Sequence, residues 1–472
     1  MEKRKVGILT FSDGRESVHR EVEPINLEFQ QRLAQALRET GEVEPVEGQE
    51  IIWTAELARN EAKRLADQGC EATIFNFAVW SFPHLAVIAA KFAPGPFLLF
   101  SNINPKYPGM VGMLASAGAL DQVGVPHGRL FGDIRDGEVL RKVLAFIRAA
   151  SAINRLRGET FGLFGGRPMG MYTAVANTDQ WMKLFGIDVE HIDQSEIIRR
   201  AELAPADEVE HAFSWLTEKV GKIRYDGKQL TPEKLKLQIK SYIAVREMAH
   251  EFGLDFLGIK AQPELTDNFV TMDLTEAFLN DPYDWNGPKE PLVAATEADM
   301  DGALTMEILK HMSGDPVLFA DLRHYDAELG AFDLCNSGNH ATYYAGHSRD
   351  PDVNLPKVEF YPQGFYFPAG GAAVRHIAAP GEVTLARLAR RNGRYWLAII
   401  PAEFLDLPPD VAEAKAAATQ VEWPHAFAKL RVSPDELLSE YDSNHIHGVY
   451  GDYVPELIWF AKLLGIPYRV FS

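Results

Sequence analysis

Short apolar runs alternate with amphipathic helical patterns in the first third of the chain, and this alternation constrains the fold more than any other feature. The runs KVGILTF, ATIFNFAV and PGPFLLFSN are typical of buried strands, whereas EPINLEFQQRLAQALRET and TAELARNEAKRLADQG have apolar residues at helical spacing. Continuously apolar strands between helices are typical of a parallel sheet that helices cover on both faces. We therefore predict an N-terminal α/β domain over residues 1–157.

The rest of the chain predicts two further domains. A second α/β unit, assigned to residues 158–345, begins at TFGLFGGRPMGMYTAV and contains the long helical pattern PEKLKLQIKSYIAVREMAHEFG. Beyond it, FYFPAGGAAVRHI, GEVTLARLARRNG and RYWLAIIPAEF favour antiparallel strands joined by Gly and Pro turns. The predicted fold class is therefore two α/β domains with parallel sheets, followed by a β-rich C-terminal domain at residues 346–472.

Composition excludes several classes of protein. The formal net charge of −19 argues against nucleic-acid binding and against adhesion to anionic membranes. No apolar run approaches the roughly 18 residues of a membrane helix, and the N-terminal run is too short for a signal peptide. Cys70 and Cys335 are far apart, so neither a disulfide framework nor a cysteine zinc site is expected. The acidic composition is compatible with a soluble cytoplasmic enzyme, and we predict a cytoplasmic protein without nucleic-acid or membrane partners.

Two strand-like runs are followed directly by acids. PLVAAT precedes Glu297, and VLFA precedes Asp321 in DPVLFADLRHYD. Ligands of α/β sheets collect at the carboxyl ends of strands, so both carboxylates face one crevice if the two strands are neighbours. Each acid alone also has an ordinary explanation, Glu297 as a first-turn helix acid and Asp321 as the ion-pair partner of Arg323. Asp299 and Asp301 are predicted to be solvated first-turn residues.

Carboxylates held close together need a counter-charge, which is commonly a metal ion. His445 and His447 in YDSNHIHGVYGDYVPEL, and His340 in DLCNSGNHATYY, are candidates for an imidazole ligand. The alternative is that they are loop histidines without a role in the site. Oxygen donors with one imidazole favour Mn²⁺, with Mg²⁺ or Co²⁺ as alternatives, over a thiolate-type zinc site.

Two loops that follow predicted strands have candidate ligand-binding features. GLFGGRPMGMYTAV is neither a P-loop nor a dinucleotide fingerprint, and we interpret it as a tight strand–helix turn. Arg15 in FSDGRE follows the first strand, where a loop can reach a polar ligand. The absence of a G-x-G-x-x-G fingerprint after any strand disfavours a nicotinamide-dependent dehydrogenase.

In combination, these segments resemble the L-fucose isomerase and L-arabinose isomerase family, and the fucose branch more closely. The resemblance is carried by DGR, GGRPMGMYTAV, VEHIDQSEIIRR, YDWNGPKEPLVAATEADMDGALTM, FADLRHY, LCNSG, SNH and GDYVPELIWFAKLLGIPYRV, in that order. Members of that family are aldose–ketose isomerases, usually manganese-activated oligomers. The resemblance therefore implies an intramolecular oxidoreductase, and a homo-oligomer whose active site lies near a subunit interface.

The resemblance also implies roles for particular residues. Glu297, Asp321 and His445 occupy the positions of the metal ligands, and the two carboxylates double as the acid/base pair that acts through a cis-enediol. Asn444 matches the Asn-His pair of the fucose branch, and His340 stands where the arabinose branch has a further histidine.

Departures from the fucose pattern concern sugar recognition. Lys260 stands where a glutamine is expected, and Ala372 and Ala373 stand where an aromatic residue is expected. The sugar is therefore left open among substrates such as L-fucose, D-arabinose and L-arabinose. The residues predicted to contact it are Arg15, Trp80, Lys260, Asn336, His340 and Asn444.

Two alternative functions stay open. One is isomerisation of an anionic aldose, such as a sulfo- or phospho-hexose, with positive charge supplied by Lys260, Arg375 and His376. The other is a catalytically silent sugar-binding protein on the isomerase scaffold. The complete set of three ligands argues against the silent protein, because binding alone does not require two carboxylates and a metal.

Overall fold

The computed structural model describes residues 3–337, 340–364 and 366–472. Its strands are β1 (Arg4–Thr10), β2 (Val43–Glu47), β3 (Ala72–Phe77), β4 (Phe97–Asn102), β5 (His127–Gly132), β6 (Thr160–Phe164), β7 (Asp188–Ile192), β8 (Lys222–Ile223), β9 (Phe256–Ile259), β10 (Tyr283–Asp284), β11 (Gly287–Pro288), β12 (Ala294–Thr296), β13 (Leu318–Asp326), β14 (Ala331–Cys335), β15 (Glu359–Pro362), β16 (Ala372–Arg375), β17 (Gly381–Arg391), β18 (Arg394–Phe404), β19 (His425–Leu430), β20 (His445–Tyr450) and β21 (Tyr468–Val470).

Helices connect most of these strands. They are α1 (Glu16–Glu39), α2 (Ala55–Asp67), α3 (Pro83–Ala89), α4 (Gly109–Gln122), α5 (Gly137–Arg155), α6 (Thr178–Leu184), α7 (Ser195–Glu202), α8 (Ala206–Lys219), α9 (Pro232–Phe252), α10 (Glu264–Asn268), α11 (Asp273–Asn280), α12 (Met300–Ser313), α13 (Tyr343–Gly346), α14 (Pro351–Asn354), α15 (Pro409–Thr419), α16 (Pro434–Glu440) and α17 (Val454–Leu464). None of those in the described ranges is long and apolar enough to cross a membrane.

The chain divides into two compact units. The first contains the residues up to 155 together with 455–466, and its sheet has the order β2-β1-β3-β4-β5 with every pair parallel. Ile74 packs in an apolar cluster with residues of α1 and α5, whereas the next residue, Phe75, packs in a second cluster with α2, α3 and α4. Because successive side chains of a strand point to opposite faces, both faces of this sheet are buried.

The second unit, residues 156–454 and 467–472, contains a parallel sheet and a β-barrel. The parallel sheet has the order β12-β9-β6-β7. Strand β7, which follows β6 in the chain, lies on one side of β6, and β9, the next strand of this sheet, lies on its other side. The strand order therefore reverses between β6 and β9, and this is the switch point of the sheet. In such sheets a crevice opens beyond the carboxyl ends of the strands at the switch point.

The barrel is formed by the strand order β17-β20-β13-β14-β19-β18, which the pairing of β17 with β18 closes into a ring. All of these pairs are antiparallel, and β21 joins β18 in parallel. Helix α12 contacts β9 and β12 of the parallel sheet as well as β17 and β20 of the barrel, and most of its residues are buried. The helix is therefore enclosed between the two parts of this unit.

The predicted fold class is confirmed, with parallel α/β sheets followed by a β-rich C-terminal region. The predicted hairpin is present as β17 and β18, and the last predicted helix is α17. The first helix differs from the prediction, since it begins at Glu16 and continues through Pro24. The bounds at 157/158 and 345/346 stay predictions; β13 and β14, before residue 346, pair with strands after it.

Candidate active site

Glu297 lies in a strained turn between β12 and α12. Glu297 and Ala298 both have left-handed backbone conformations, with φ of 57° and 48°. Such conformations cost non-glycine residues about 1–3 kcal/mol each and concentrate at functional sites. Asp299 then caps α12, because its Oδ1 accepts a hydrogen bond of 3.0 Å from the Gly302 N–H. The strained turn thus separates Glu297, which lines a cleft, from the carboxylate that starts the helix.

Asp321 and His445 are brought together by strand register. Asp321 on β13 pairs directly with His445, the first residue of β20, in the antiparallel ladder. Directly opposed residues of such a ladder present their side chains on one face, with Cβ atoms about 5 Å apart. Two side chains far apart in sequence therefore become neighbours.

The Nε2 atom of His445 faces two carboxylates. It lies 2.9 Å from Glu297 Oε2 and 3.6 Å from Asp321 Oδ1, and His445 is fully buried. Despite these short distances, Nε2 makes no hydrogen bond of acceptable geometry. A buried nitrogen without a hydrogen bond, next to two carboxylate oxygens, fits a divalent cation that accepts oxygen donors and one imidazole.

Two amides hold the carboxylate of Asp321. Asn336 donates to its Oδ2 at 2.8 Å, and Asn444 donates to its Oδ1 at 3.0 Å. Burial raises the pKa of Asp321 and the Glu297 carboxylate adds to this effect, whereas His445 and the two amides oppose it. Both carboxylate oxygens are thus fixed by groups that flank the ends of β14 and β20.

The other nitrogen of His445 contacts Asp299. Its Nδ1 lies 2.6 Å from Asp299 Oδ2, and Arg387 donates to the same carboxylate at 2.5 and 3.1 Å. Burial alone lowers the pKa of His445, but the Asp299 and Glu297 carboxylates outweigh it and raise this pKa to about 10. Burial likewise disfavours ionisation of Asp299, but Arg387 and His445 hold the pKa of that carboxyl well below its usual range.

A cleft of about 420 Å³ opens beside these acids. Its lining includes Glu297, Asp321, Met169, Gln262 and Trp423. Aromatic rings form part of the wall, with Phe367 stacked on Trp423 at a centroid distance of 6.2 Å and Tyr366 at 6.4 Å from the same ring. The cleft thus combines acids with apolar faces, a combination typical of sites for small polar molecules.

The other residues predicted to contact substrate lie in several places. Asn336 lines the cleft and Asn444 holds Asp321, as described above. Lys260 lines a separate cleft next to Gly165 and forms a 2.6 Å ion pair with Glu264. These substrate contacts stay predictions.

The remaining residues predicted to contact the substrate, or to supply positive charge to it, do not line the cleft beside Glu297 and Asp321. His340 is fully buried, with its ring 5.9 Å from that of His376. Arg375, the other proposed source of positive charge, is paired with Glu413 at 2.5 Å. Arg15 and Trp80 belong to the first unit, and Arg15 there pairs with Asp13 at 2.7 Å.

The prediction that Asp299 and Asp301 are solvated is wrong. They are 0% and 1% exposed, because α12 is enclosed between the parallel sheet and the barrel. Each is paired instead, Asp299 with Arg387 and Asp301 with Arg390 at 2.7 Å. A charge in such an environment requires a partner, which the barrel strand β17 supplies.

The structure also contradicts two of the alternatives without a role in the site, one for the histidines and one for Asp321. His445 and His447 are not exposed loop residues, since both lie in the buried strand β20. Asp321 is not paired with Arg323 in the described part of the chain, and Arg323 instead lines the cleft.

Sequence reasoning missed Gln262, Trp423 and Arg387. Gln262 lines the cleft two residues after Lys260, where the glutamine of the fucose pattern was sought. Arg387 had a detectable signal, because it is a lone cation within the apolar run VTLARLA of β17. A cation in a buried strand implies a buried acid elsewhere.

One other group of described residues has the composition of a metal site. Glu159, Glu307 and His311 converge, with His311 Nε2 at 2.7 Å from Glu159 and 3.2 Å from Glu307. The Lys310 ammonium lies 2.5 Å from Glu307, so an ordinary ion-pair network accounts for the group. We do not assign a metal to it.

Comparison with known proteins finds similarity over most of the chain. The family models for the first N-terminal, second N-terminal and C-terminal domains of L-fucose isomerase match residues 3–158, 244–314 and 334–472. The L-fucose isomerase of Vibrio vulnificus strain YJ016 is 25% identical over 434 residues, which cover 76% of this chain and 74% of the relative. That of Streptococcus pneumoniae strain 70585 is 25% identical over 451 residues, covering 80% and 77%.

The matched domains identify an enzyme of the aldose–ketose isomerase class. Within that class, the chain belongs to the L-fucose isomerase family.

Proposed function

We propose that this enzyme interconverts an aldose and a ketose of the L-fucose, D-arabinose or L-arabinose type, with Mn²⁺ held by Glu297, Asp321 and His445. The observation that carries the proposal is the buried Nε2 of His445, which makes no hydrogen bond although two carboxylates of the cleft lie within 3.6 Å of it. Mg²⁺ and Co²⁺ suit the same donor set and are the alternatives.

The two carboxylates supply the acid/base chemistry. When bound, the cation polarises the sugar carbonyl and lowers the pKa of the adjacent hydroxyl. One carboxylate of the pair Glu297 and Asp321 removes the proton from C2 to give a cis-enediol and returns a proton to C1, and the other transfers the proton of O2 to O1, which leaves the C2 carbonyl of the ketose. The amides of Asn336 and Asn444 restrain Asp321, because each donates to a different oxygen of its carboxylate.

The remainder of the cleft suits the carbon chain of a sugar. Gln262 Oε1 is buried without a hydrogen bond, so it is available to accept one from a sugar hydroxyl. The aromatic wall around Trp423 suits the C–H face of the same molecule. Gln262 also supplies a glutamine in the cleft, as the fucose pattern leads one to expect. In this proposal, Lys260 is therefore not a reason to expect a sugar different from that of the fucose branch.

A second candidate substrate is an anionic aldose. Arg323 lines the cleft, is exposed and forms no ion pair with the described residues, so its guanidinium is available to a sulfonate or phosphate. This support comes from Arg323 and not from Lys260 or Arg375, which are paired with glutamates.

We also propose that the enzyme is a cytoplasmic homo-oligomer. Helix α4 carries no charged residue before Asp121, and Met110, Val111 and Leu114 on it are 44%, 55% and 51% exposed. An exposed apolar patch of this kind is typical of a surface that a second copy covers. The position of the active site near a subunit contact stays part of the proposal.

The test is a substrate panel. Wild-type protein with Mn²⁺ is incubated with L-fucose, D-arabinose, L-arabinose and a 6-sulfo or 6-phospho aldohexose, and ketose formation is measured. We expect turnover of at least one neutral aldose, and loss of at least about 100-fold in Glu297→Gln and Asp321→Asn, because general acid–base catalysis contributes about 10²–10⁴-fold. Glu290→Gln, an exposed acid of the same segment, serves as the control with unchanged turnover.

The panel also separates the candidates. Turnover confined to the anionic sugars, and lost in Arg323→Gln, would support the second substrate class and contradict the first. Absence of turnover for every sugar would leave the silent sugar-binding protein and contradict the proposal.

A further inference from the structure

We infer that Asp299 and Arg387 are positioning residues that hold the imidazole of His445 with its Nε2 directed at Glu297 and Asp321. This role rests on the proposed function, because it matters only if His445 binds a metal. The two residues touch neither the cleft nor the sugar in the proposed mechanism, so neither is a catalytic residue.

The contacts form a continuous buried chain. Asp299 Oδ2 lies 2.6 Å from His445 Nδ1, and Arg387 binds both oxygens of Asp299 at 2.5 and 3.1 Å. The exposed fractions of the three residues are 0–1%. A guanidinium that binds both oxygens of a carboxylate fixes its plane as well as its position.

This chain fixes which nitrogen is offered to a cation. A carboxylate ion only accepts hydrogen bonds, so Nδ1 of His445 carries the proton that is donated to Asp299. Nε2 is then the nitrogen that faces the carboxylates and binds a metal, which displaces the proton of Nε2 as it binds. A histidine ligand whose other nitrogen donates to a carboxylate is a recurrent arrangement in metalloproteins, and loss of the carboxylate typically weakens metal affinity about 10–100-fold.

Gly302 leaves the space that the side chains of Asp299 and Arg387 occupy. A Cβ added to Gly302 would lie 2.6 Å from Asp299 Oδ2 and 2.8 Å from Arg387 Nη1, so only glycine leaves room. Glycine inside a helix costs about 1 kcal/mol relative to alanine, which implies a compensating benefit at this position. Arg387 also donates to the Thr173 carbonyl at 3.1 Å, and so joins the segment after GGRPMGMY to the pair.

Asp301 provides a matched control within the same helix turn. It is as buried as Asp299 and is likewise paired with an arginine, Arg390, but its other contact is the Tyr395 hydroxyl and not a histidine. Removal of the charge at Asp301 therefore tests for general damage to α12, whereas removal at Asp299 tests the orientation of His445.

The experiment measures Mn²⁺ binding to metal-free, full-length protein by calorimetry. We expect the dissociation constant to rise about 10–100-fold in Asp299→Asn and to stay within about twofold of wild type in Asp301→Asn. The Mn²⁺ concentration that gives half-maximal isomerase activity should rise by the same factor in Asp299→Asn. A second readout is the shift of the melting temperature by Mn²⁺, which should shrink only in Asp299→Asn.

The outcomes separate the inference from the proposed function. Wild-type affinity in Asp299→Asn would overturn the inference alone, and so would an equal loss in both variants. No binding by wild type would overturn the proposed function and the inference with it. Should Asp299→Asn fail to fold, Arg387→Lys decides, since it keeps the charge but loses the two-pronged contact. An affinity at least about threefold weaker would support the inference, and wild-type affinity would overturn it.

Discussion

Asp299 and Asp301 are separated by one residue and are equally buried, yet their environments push their ionisation in opposite directions. Arg387 and His445 outweigh burial at Asp299 and hold its pKa well below the usual range, whereas burial dominates at Asp301 and raises its pKa. The charge balance of the site therefore depends on individual partners and not on burial as such.

Buried histidines predict how stability depends on pH. Burial lowers the pKa of His376 to about 3 from 6.5, and lowers that of His340 well below 6.5; Arg375 and His425 face this pair. The unfolded chain therefore binds more protons below pH 6.5, so the stabilisation is fully present above that pH and is lost as pH falls towards the folded pKa.

We expect this loss to be measurable in urea unfolding at pH 7.5 and pH 5.5. Each buried histidine should contribute about 1.4 kcal/mol to the drop in the free energy of unfolding, because one pKa unit corresponds to about 1.4 kcal/mol. His376→Phe should make the drop smaller by that amount, whereas His250→Gln, an exposed histidine at the end of α9, should leave it unchanged. An equal drop in His376→Phe and wild type would contradict this assignment.

At the scale of elements, α12 contacts both the parallel sheet and the barrel of the second unit. Substitution of Gly302 in its first turn tests how closely the side chains around this helix are packed. Gly302→Ala replaces a poor helix former with a good one, yet its Cβ would collide with Asp299 and Arg387. We expect the free energy of unfolding to fall by about 1–3 kcal/mol, as is usual for overpacking.

Gly137, the first residue of α5, is the matched control. No atom lies within 4 Å of the position of its added Cβ, so Gly137→Ala should stabilise the protein by about 0.4–1 kcal/mol, because alanine has less conformational freedom than glycine in the unfolded chain. If urea unfolding gives both substitutions the same sign, the close packing around the Asp299–Arg387 pair is disproved.

Helices and strands could be predicted from the sequence where a local pattern determines them. Contacts between residues far apart in the sequence could not. Apolar runs and helical spacing predict β3, α2 and the β17–β18 hairpin, and the apolar run PLVAAT predicts a strand that ends just before Glu297, as β12 does. The register that sets Asp321 opposite His445 depends on pairing across the barrel, which no local pattern contains. The burial of Asp299 was missed for the same reason, since its partner Arg387 lies on a distant strand.

At the scale of the whole molecule, the apolar face of α4 is the feature that bears on assembly. Light scattering of the wild type should give a multiple of the 52.6 kDa chain mass. Leu114→Glu should lower the measured mass, because it introduces a charge into the proposed contact, whereas Val353→Glu at an exposed apolar residue of α14 should not. A wild-type mass of one chain would contradict the proposed homo-oligomer.

The most direct test of the central claim is removal and return of the metal. Wild-type protein is treated with chelator, dialysed and assayed for ketose formation from the aldose that the panel identifies, before and after addition of Mn²⁺. We predict that the metal-free protein loses at least about 100-fold in turnover and that about one Mn²⁺ per chain restores it, with no restoration in His445→Ala. Full turnover by the metal-free protein, or wild-type restoration in His445→Ala, would contradict the proposed site.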